Sequence, residues 1–285
     1  MATPRVAVVV LALTGLLAAA PALSVSAQTQ RQIEVFPGRH ALAKALAEAM
    51  PGDALELHTG RYRDSVTVTT PNIVIELAGD GPVTIDGQCE QVATILVEAD
   101  AVTLEGRITV TGGRFYAVEF VGALSGILNG FTLKASCNAV FGAFLQRSTV
   151  LVMSNRTTGF IGAGVDLLGI TDTVRQTLVA ANRVSGGERG IIVEDSGGGR
   201  IELRDNVLHD NTLSGIHLRN SDQVLIDHDT ARNDGTYGID LDENSDNNTV
   251  KRNTAMGNTF DLSNAGTGNC FKDNRYSTSE GDISC

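Results

Sequence analysis

Five residues stand out for their types and spacing: Glu194, His217, Arg219, Asp240 and Asp242. They recur at intervals of about 23 to 26 residues, so that His217 falls one interval before Asp240 and Arg219 falls between Glu194 and Asp242. A histidine, or a carboxylate whose pKa is lifted by a like-charged neighbour, can serve as a general base. An arginine beside it can neutralise a carboxylate carried by the reacting molecule. Together these are the residue types that acid/base work on an acidic sugar ring requires. Asp240 and Asp242 also offer oxygen ligands of the kind Ca2+ prefers. The plain alternative is a solvated ladder of charges, in which each pair contributes only tenths of a kcal/mol.

Such residues act together only if something stacks them, and the chain shows a repeat that would. The segments Thr94-Ile95-Leu96-Val97, Ala117-Val118-Glu119-Phe120, Gly164-Val165-Asp166-Leu167, Gly190-Ile191-Ile192-Val193, Gly215-Ile216-His217-Leu218 and Gly238-Ile239-Asp240-Leu241 share one alternating pattern. A period in this range marks a solenoid. Each period holds a second alternating strand, for example Ile201-Glu202-Leu203-Arg204 and Val224-Leu225-Ile226-Asp227. The apolar positions point inward, and the residues between them form outward columns about 5 Å apart from coil to coil. One column reads Asp166, Ile192, His217, Asp240, and its neighbour Leu168, Glu194, Arg219, Asp242.

The second strand ends in a polar residue at Asn155, Asn182, Asn206, Asp229, Asn253 and Asn274, with a looser series at Asn211, Asn233 and Asn258. Stacked amides can hydrogen-bond from coil to coil, and Asn tolerates the left-handed backbone of a sharp corner. These residues are therefore expected to be structural.

Arg5, the apolar run from Val6 to Ala20 and the exit Val25-Ser26-Ala27 form a signal peptide over residues 1–27. The run is shorter than the roughly 20 residues a spanning helix needs, and no membrane span is expected after cleavage. A secreted or periplasmic destination follows. The chain has 285 residues and a net charge of −11, with no basic stripe, which argues against nucleic acid as a partner.

Four cysteines in an exported chain read as two disulfides. Cys270 and Cys285 would close the C-terminal loop and contribute roughly 3 kcal/mol in the chain-entropy model. Cys89 and Cys137 stand about two coils apart, nearly 10 Å along the stack. A bridge between them, across Gly112-Gly113, requires loops that bow outward.

Open solenoid ends expose strand edges and need covers. Residues 28–53 are read as an N-terminal cap. Its amphipathic helix runs from Arg39 to Met50, with Leu42, Ala45, Leu46, Ala49 and Met50 on one face, and Pro51-Gly52-Asp53 ends it. The solenoid is placed at 54–269 and a disulfide-closed C-terminal cap at 270–285.

The run Ala45 to Tyr62, followed by Ile73 to Leu77 and Val83-Thr84-Ile85-Asp86-Gly87, resembles the first coil of the pectin-lyase-like superfamily. The later Gly-Ile-x-Leu and Asn-ended strands are similar to its generic β-helix repeats, found in carbohydrate-binding and sugar-hydrolase domains. The resemblance implies an all-β, single-stranded right-handed parallel β-helix with a short N-terminal capping helix. It covers nearly the whole mature chain and specifies a fold, not a reaction.

Sharper motifs are incomplete. Val224-Leu225-Ile226-Asp227-His228 is similar to a pectate-lyase strand, yet no proline follows Pro82 to supply the arginine-bearing segment of those enzymes. Tyr237-Gly238-Ile239-Asp240 resembles the start of an alginate-epimerase motif, with Leu241 and Asp242 where Pro and His would follow. His209, His217 and His228 fall at different places in the coil and suggest no shared metal site. Tyr116, Phe120 and Tyr237 are the candidate stacking residues for a sugar.

The sequence thus predicts an exported β-helix that recognises, and as an enzyme would modify, an extracellular or envelope polysaccharide. The enzymatic form is a uronate lyase or epimerase with His217 or Asp240 as base and Arg219 on the carboxylate. A non-catalytic envelope scaffold or adhesive spacer is the alternative.

Overall fold

A computed structural model describes residues 30–285. The expected signal peptide lies outside them. The described chain winds into a parallel β-solenoid whose three sheets contain eleven, ten and nine strands. Every strand pairing is parallel. Each full coil contributes one strand to each sheet, so the period contains three strands, one more than the sequence pattern displays.

The reason is length. The strands of the nine-stranded sheet that follow residue 131 are three residues each, such as Arg183–Ser185, Val207–His209 and Thr230–Arg232. Each sends a single residue inward (Val184, Leu208 and Ala231), which is too little to register as an alternation. The ten-stranded sheet has longer strands, among them Ala163–Leu168, Arg189–Glu194, Ser214–Arg219 and Tyr237–Leu241. Its inward columns, Val165, Ile191, Ile216, Ile239 and Leu167, Val193, Leu218, Leu241, are completely buried. Burying each such side chain stabilises the coil by roughly 1.5–3 kcal/mol.

Glycines 142, 164, 190, 215 and 238 stack at the inward corner before these columns. A Cβ on Gly190 would lie 2.5 Å from the Gly215 carbonyl oxygen and 2.5 Å from Leu208 Cδ2. Backbone on one side and core on the other leave no direction in which it can yield. Gly190→Ala is therefore expected to destabilise the fold by about 1–3 kcal/mol, the usual range for overpacking. A chemical-denaturation midpoint equal to that of the parent would contradict this.

The corners are held by side chains that accept the backbone N–H of the equivalent residue in the preceding coil. Asn155, Asn182, Asn206, Asp229, Asn253 and Asn274 form one continuous ladder. In it Asn206 Nδ2 also donates to the Val179 carbonyl, and Asn253 Nδ2 to that of Ile226. The second ladder is Asn211, Asp234 and Asn258. Asn233 is not its middle rung, contrary to the sequence reading. It takes the left-handed conformation at φ 54°, and the next residue, Asp234, turns inward in its place. A third ladder, Ser196, Ser221 and Ser245, holds the corner between the ten- and eleven-stranded sheets.

The N-terminal helix covers Ala41–Glu48, and Leu42 is its fully buried residue. Met50 lies beyond its end and is 57% exposed, so the apolar face is shorter than predicted. A strand at Gln32–Val35 precedes the helix and pairs with Ala54–Leu57. At the other end Ser279–Gly281 pairs with Phe260–Asn264, and the Cys270–Cys285 disulfide fixes the tail. The Cys89–Cys137 disulfide also forms, with a Cα separation of 5.8 Å. Gln88, Cys89, Cys137 and Asn138 all adopt positive φ, which swings both loops out over the intervening coil. No helix among the described residues is long and apolar enough to cross a membrane.

Candidate functional site

The ten-stranded sheet brings Glu194, His217, Arg219 and Asp240 to one face. His217 pairs in register with Asp240, and Asp166 with Ile192, which pairs with His217. His217 Nδ1 lies 2.8 Å from Asp240 Oδ2, and both side chains are 14% exposed. With Nδ1 committed to the carboxylate, Nε2 is the ring nitrogen left to exchange a proton. Arg219, two residues along the same strand, places Nη2 2.8 Å from Glu194 Oε2. The guanidinium is half exposed while the carboxylate is largely covered.

Asp242 is placed differently. Its carboxylate accepts hydrogen bonds from the Asn220 and Asn244 backbone amides and the Ser245 hydroxyl. It caps the corner instead of facing Arg219. Asp240 and Asp242 therefore have separate partners, and no group of three or more His, Cys, Asp or Glu side chains among the described residues is disposed to hold a metal ion.

Asp166 is the feature the sequence reading passed over. It occupies an outward position yet is only 2% exposed, and its Oδ1 has no hydrogen-bond partner. Burial pushes its pKa up to about 8, and the nearby Glu194 adds to the shift against the lowering effect of Arg219 and Arg189. At neutral pH it is a carboxylic acid able to donate a hydrogen bond. Arg189, two strands before Tyr237, is paired with Glu188 at 2.5 Å and leaves its buried Nε without a partner. Asp166 stood in the predicted outward column; what the pattern lacked was any sign that an outward residue would be covered.

Aromatic side chains flank this polar stretch. Tyr116, Phe141 and Phe144 stack on the N-terminal side, with Tyr116 and Phe144 centroids 4.7 Å apart. Tyr237 and Phe260 stack on the other, 5.9 Å apart. Phe120, by contrast, is core. Burial raises the pKa of both Tyr116 and Tyr237, and neighbouring carboxylates add to it.

A cleft of about 730 Å³ opens beside this face, lined by Gln146, Arg147, Leu168, Ile170, Asp172 and Asp195 among others. It follows the corner and includes neither His217 nor Asp240. The Asp227-His228 pair lies elsewhere again. Asp227 is on the eleven-stranded sheet and is held by Arg252, Lys251 and His228, which together keep its carboxyl below the usual range despite burial.

A right-handed coil of three parallel sheets with a polar, aromatic-flanked face defines a β-helix protein. Residues 138–282 match the family model for a right handed beta helix region, about half of the chain, and the chain belongs to that family. No curated protein matches it in sequence. Among solved structures it is similar to the pectate lyase Pel9A (TM-score 0.59, 12% identity, covering 89% of this chain and 79% of that one). It is also similar to the A-module of the mannuronan C-5 epimerase AlgE6 of Azotobacter vinelandii (0.56, 16%, 82% and 71%). The alginate lyase of Paenibacillus sp. str. FPU-7 is a third such structure (0.52, 14%, 88% and 99%). At these identities the likeness establishes the fold.

Proposed function

We propose that this protein is exported to the periplasm or beyond the cell, binds an acidic polysaccharide along the ten-stranded sheet, and abstracts the proton adjacent to a uronate carboxylate as a lyase or epimerase. The observation that carries the reading is the His217–Asp240 pair, with Arg219 two residues away on the same strand and facing the same side. Asp240 holds the imidazole through Nδ1, and Nε2 takes the proton. In elimination the electron pair left behind forms the carbon–carbon double bond as the bond to the leaving glycosidic oxygen breaks, and that oxygen takes a proton from the imidazolium or from water. In epimerisation water returns a proton to the opposite face of the ring. The exposed guanidinium of Arg219 exchanges Glu194 for the substrate carboxylate, which withdraws charge as the carbanion develops. Activities of the solved neighbours agree with this class of substrate, and the two disulfides suit an oxidising compartment.

The second reading is a non-catalytic scaffold. It is favoured by the cleft that avoids His217 and by the mutual pairing of Glu194 with Arg219. The deciding experiment incubates purified protein with pectate, alginate and glycosaminoglycan chains, with and without Ca2+. The ultraviolet absorbance of unsaturated product reports elimination, and deuterium uptake from D2O at the sugar reports epimerisation. The proposal expects one of the two signals, and Arg219→Ala should raise KM about tenfold or more through loss of the charged contact. Absence of both signals on all chains would leave the scaffold reading.

A further inference from the structure

The N-terminal end of the same sheet contains a second concavity, of about 430 Å³. Its floor follows the outward column Thr67, Leu96, Glu119, and Gln91 and Val92 form one wall. The column continues into Phe144, while the adjoining column runs from Ala93 in the cleft to Tyr116 and Phe141. The stacked rings therefore begin at the rim. Val92 and Phe115 add exposed apolar surface there, at 51% and 47%.

The wall is fixed in place. Gln91 and Val92 follow Cys89, which is bridged to Cys137, and their carbonyls accept the backbone amides of Arg114, Phe115 and Tyr116. A site so held loses little entropy on binding.

Charge separates this cleft from the His217 region. No lysine, arginine or histidine lines it, and the strands Val66–Val68, Ala93–Val97, Tyr116–Val121 and Phe141–Gln146 contain none. Its one ionisable lining residue is Glu119, whose pKa is raised by burial and by Glu98. A carboxylate-bearing sugar would meet a carboxyl and no cation. An uncharged ring, with hydroxyls for Glu119, Gln91 and Thr67 and an apolar face for Tyr116, suits both the polar and the aromatic surfaces.

We infer that this cleft is a binding subsite for a neutral sugar residue, separate from the uronate position at His217 and Arg219. The inference rests on the polysaccharide reading for its ligand class. It implies that the natural chain contains uncharged as well as acidic residues.

The test titrates the full mature protein, by calorimetry and ligand-detected NMR, with neutral tetrasaccharides (cellotetraose, mannotetraose, xylotetraose and chitotetraose) and with tetragalacturonate. At least one neutral oligosaccharide should bind. Its affinity should fall about tenfold in Tyr116→Ala, by about twofold to tenfold in Glu119→Ala, and also in the double variant Cys89→Ser/Cys137→Ser. It should be unchanged in His217→Ala. Tyr116→Phe, which keeps the ring, should retain binding and guards against misfolding of the alanine variant. Failure of every neutral probe, binding indifferent to both Tyr116→Ala and Glu119→Ala, or binding lost in His217→Ala would overturn the inference. If neutral sugars bind in this pattern and no uronate chain is bound or turned over, the His217 reading falls and the cleft stands.

Discussion

His217→Ala is expected to lower kcat on the responsive uronate chain by about 10²–10⁴-fold, the usual contribution of a positioned general base. Its fold should persist, because His217 projects outward from the sheet and takes no part in the buried core. Asp240→Asn should cost less than loss of the base itself, since the ring keeps a hydrogen-bonding neighbour that can orient it. The readouts are kcat on oligouronate and the thermal midpoint of the same preparations. Full activity in His217→Ala would remove the imidazole from the mechanism, and equal losses of activity and of thermal midpoint would make it a structural residue.

The second large effect concerns stability and pH. Asp229 replaces an amide in the asparagine ladder, where its Oδ1 accepts from the Asn206 amide and side chain while the buried Oδ2 has no partner. Burial pushes its pKa up to about 7 despite those two donors. Asp234 does the same in the second ladder, raised to about 6 by burial. An acid whose folded pKa exceeds its unfolded value supports the fold fully at low pH and loses that support as pH rises through the folded pKa. For Asp229 the loss spans from about 4 to about 7 and amounts to something on the order of 4 kcal/mol. Asp166 extends the decline to about pH 8. Below this window the carboxylates of buried Asp53 and exposed Asp80, with pKa values lowered chiefly by hydrogen bonds to Arg31 and His58, lose their contribution as they protonate. Stability should therefore peak in mild acid.

Asp229→Asn should raise the thermal midpoint at pH 8 and change it little at pH 4, flattening the profile. The physical reason is a donor in place of a lone pair. The other rungs send Nδ2 to a carbonyl of the preceding coil, and the strand register makes Leu203 the equivalent acceptor for residue 229. A midpoint that drops at both pH values would show that the carboxylate is needed as such.

The sequence by itself determined the solenoid, its parallel stacking, the Asn155-to-Asn274 ladder and the register that sets His217 against Asp240 and Arg219 against Glu194. These follow from side-chain alternation and a repeat length, both local properties that every coil restates. The third strand of each coil was illegible because three residues with one inward side chain carry no period. Asn233 and Asp234 could not be told apart, since either side chain can accept an amide and the choice depends on which one the corner turns inward.

Tertiary structure alone decided the rest. Whether an outward residue is covered depends on neighbours from other coils, and this separates buried Asp166 from half-exposed Arg219. Asp242 left the predicted column because three donors at its own corner outcompete a guanidinium one strand away. The Cys89–Cys137 bridge closed because positive φ at both cysteines carries the loops outward, a geometry that residue spacing does not encode. The cleft at Glu119 exists because a short first strand and a disulfide-held loop leave space above one carboxyl, and no repeat predicts an irregularity at its own end.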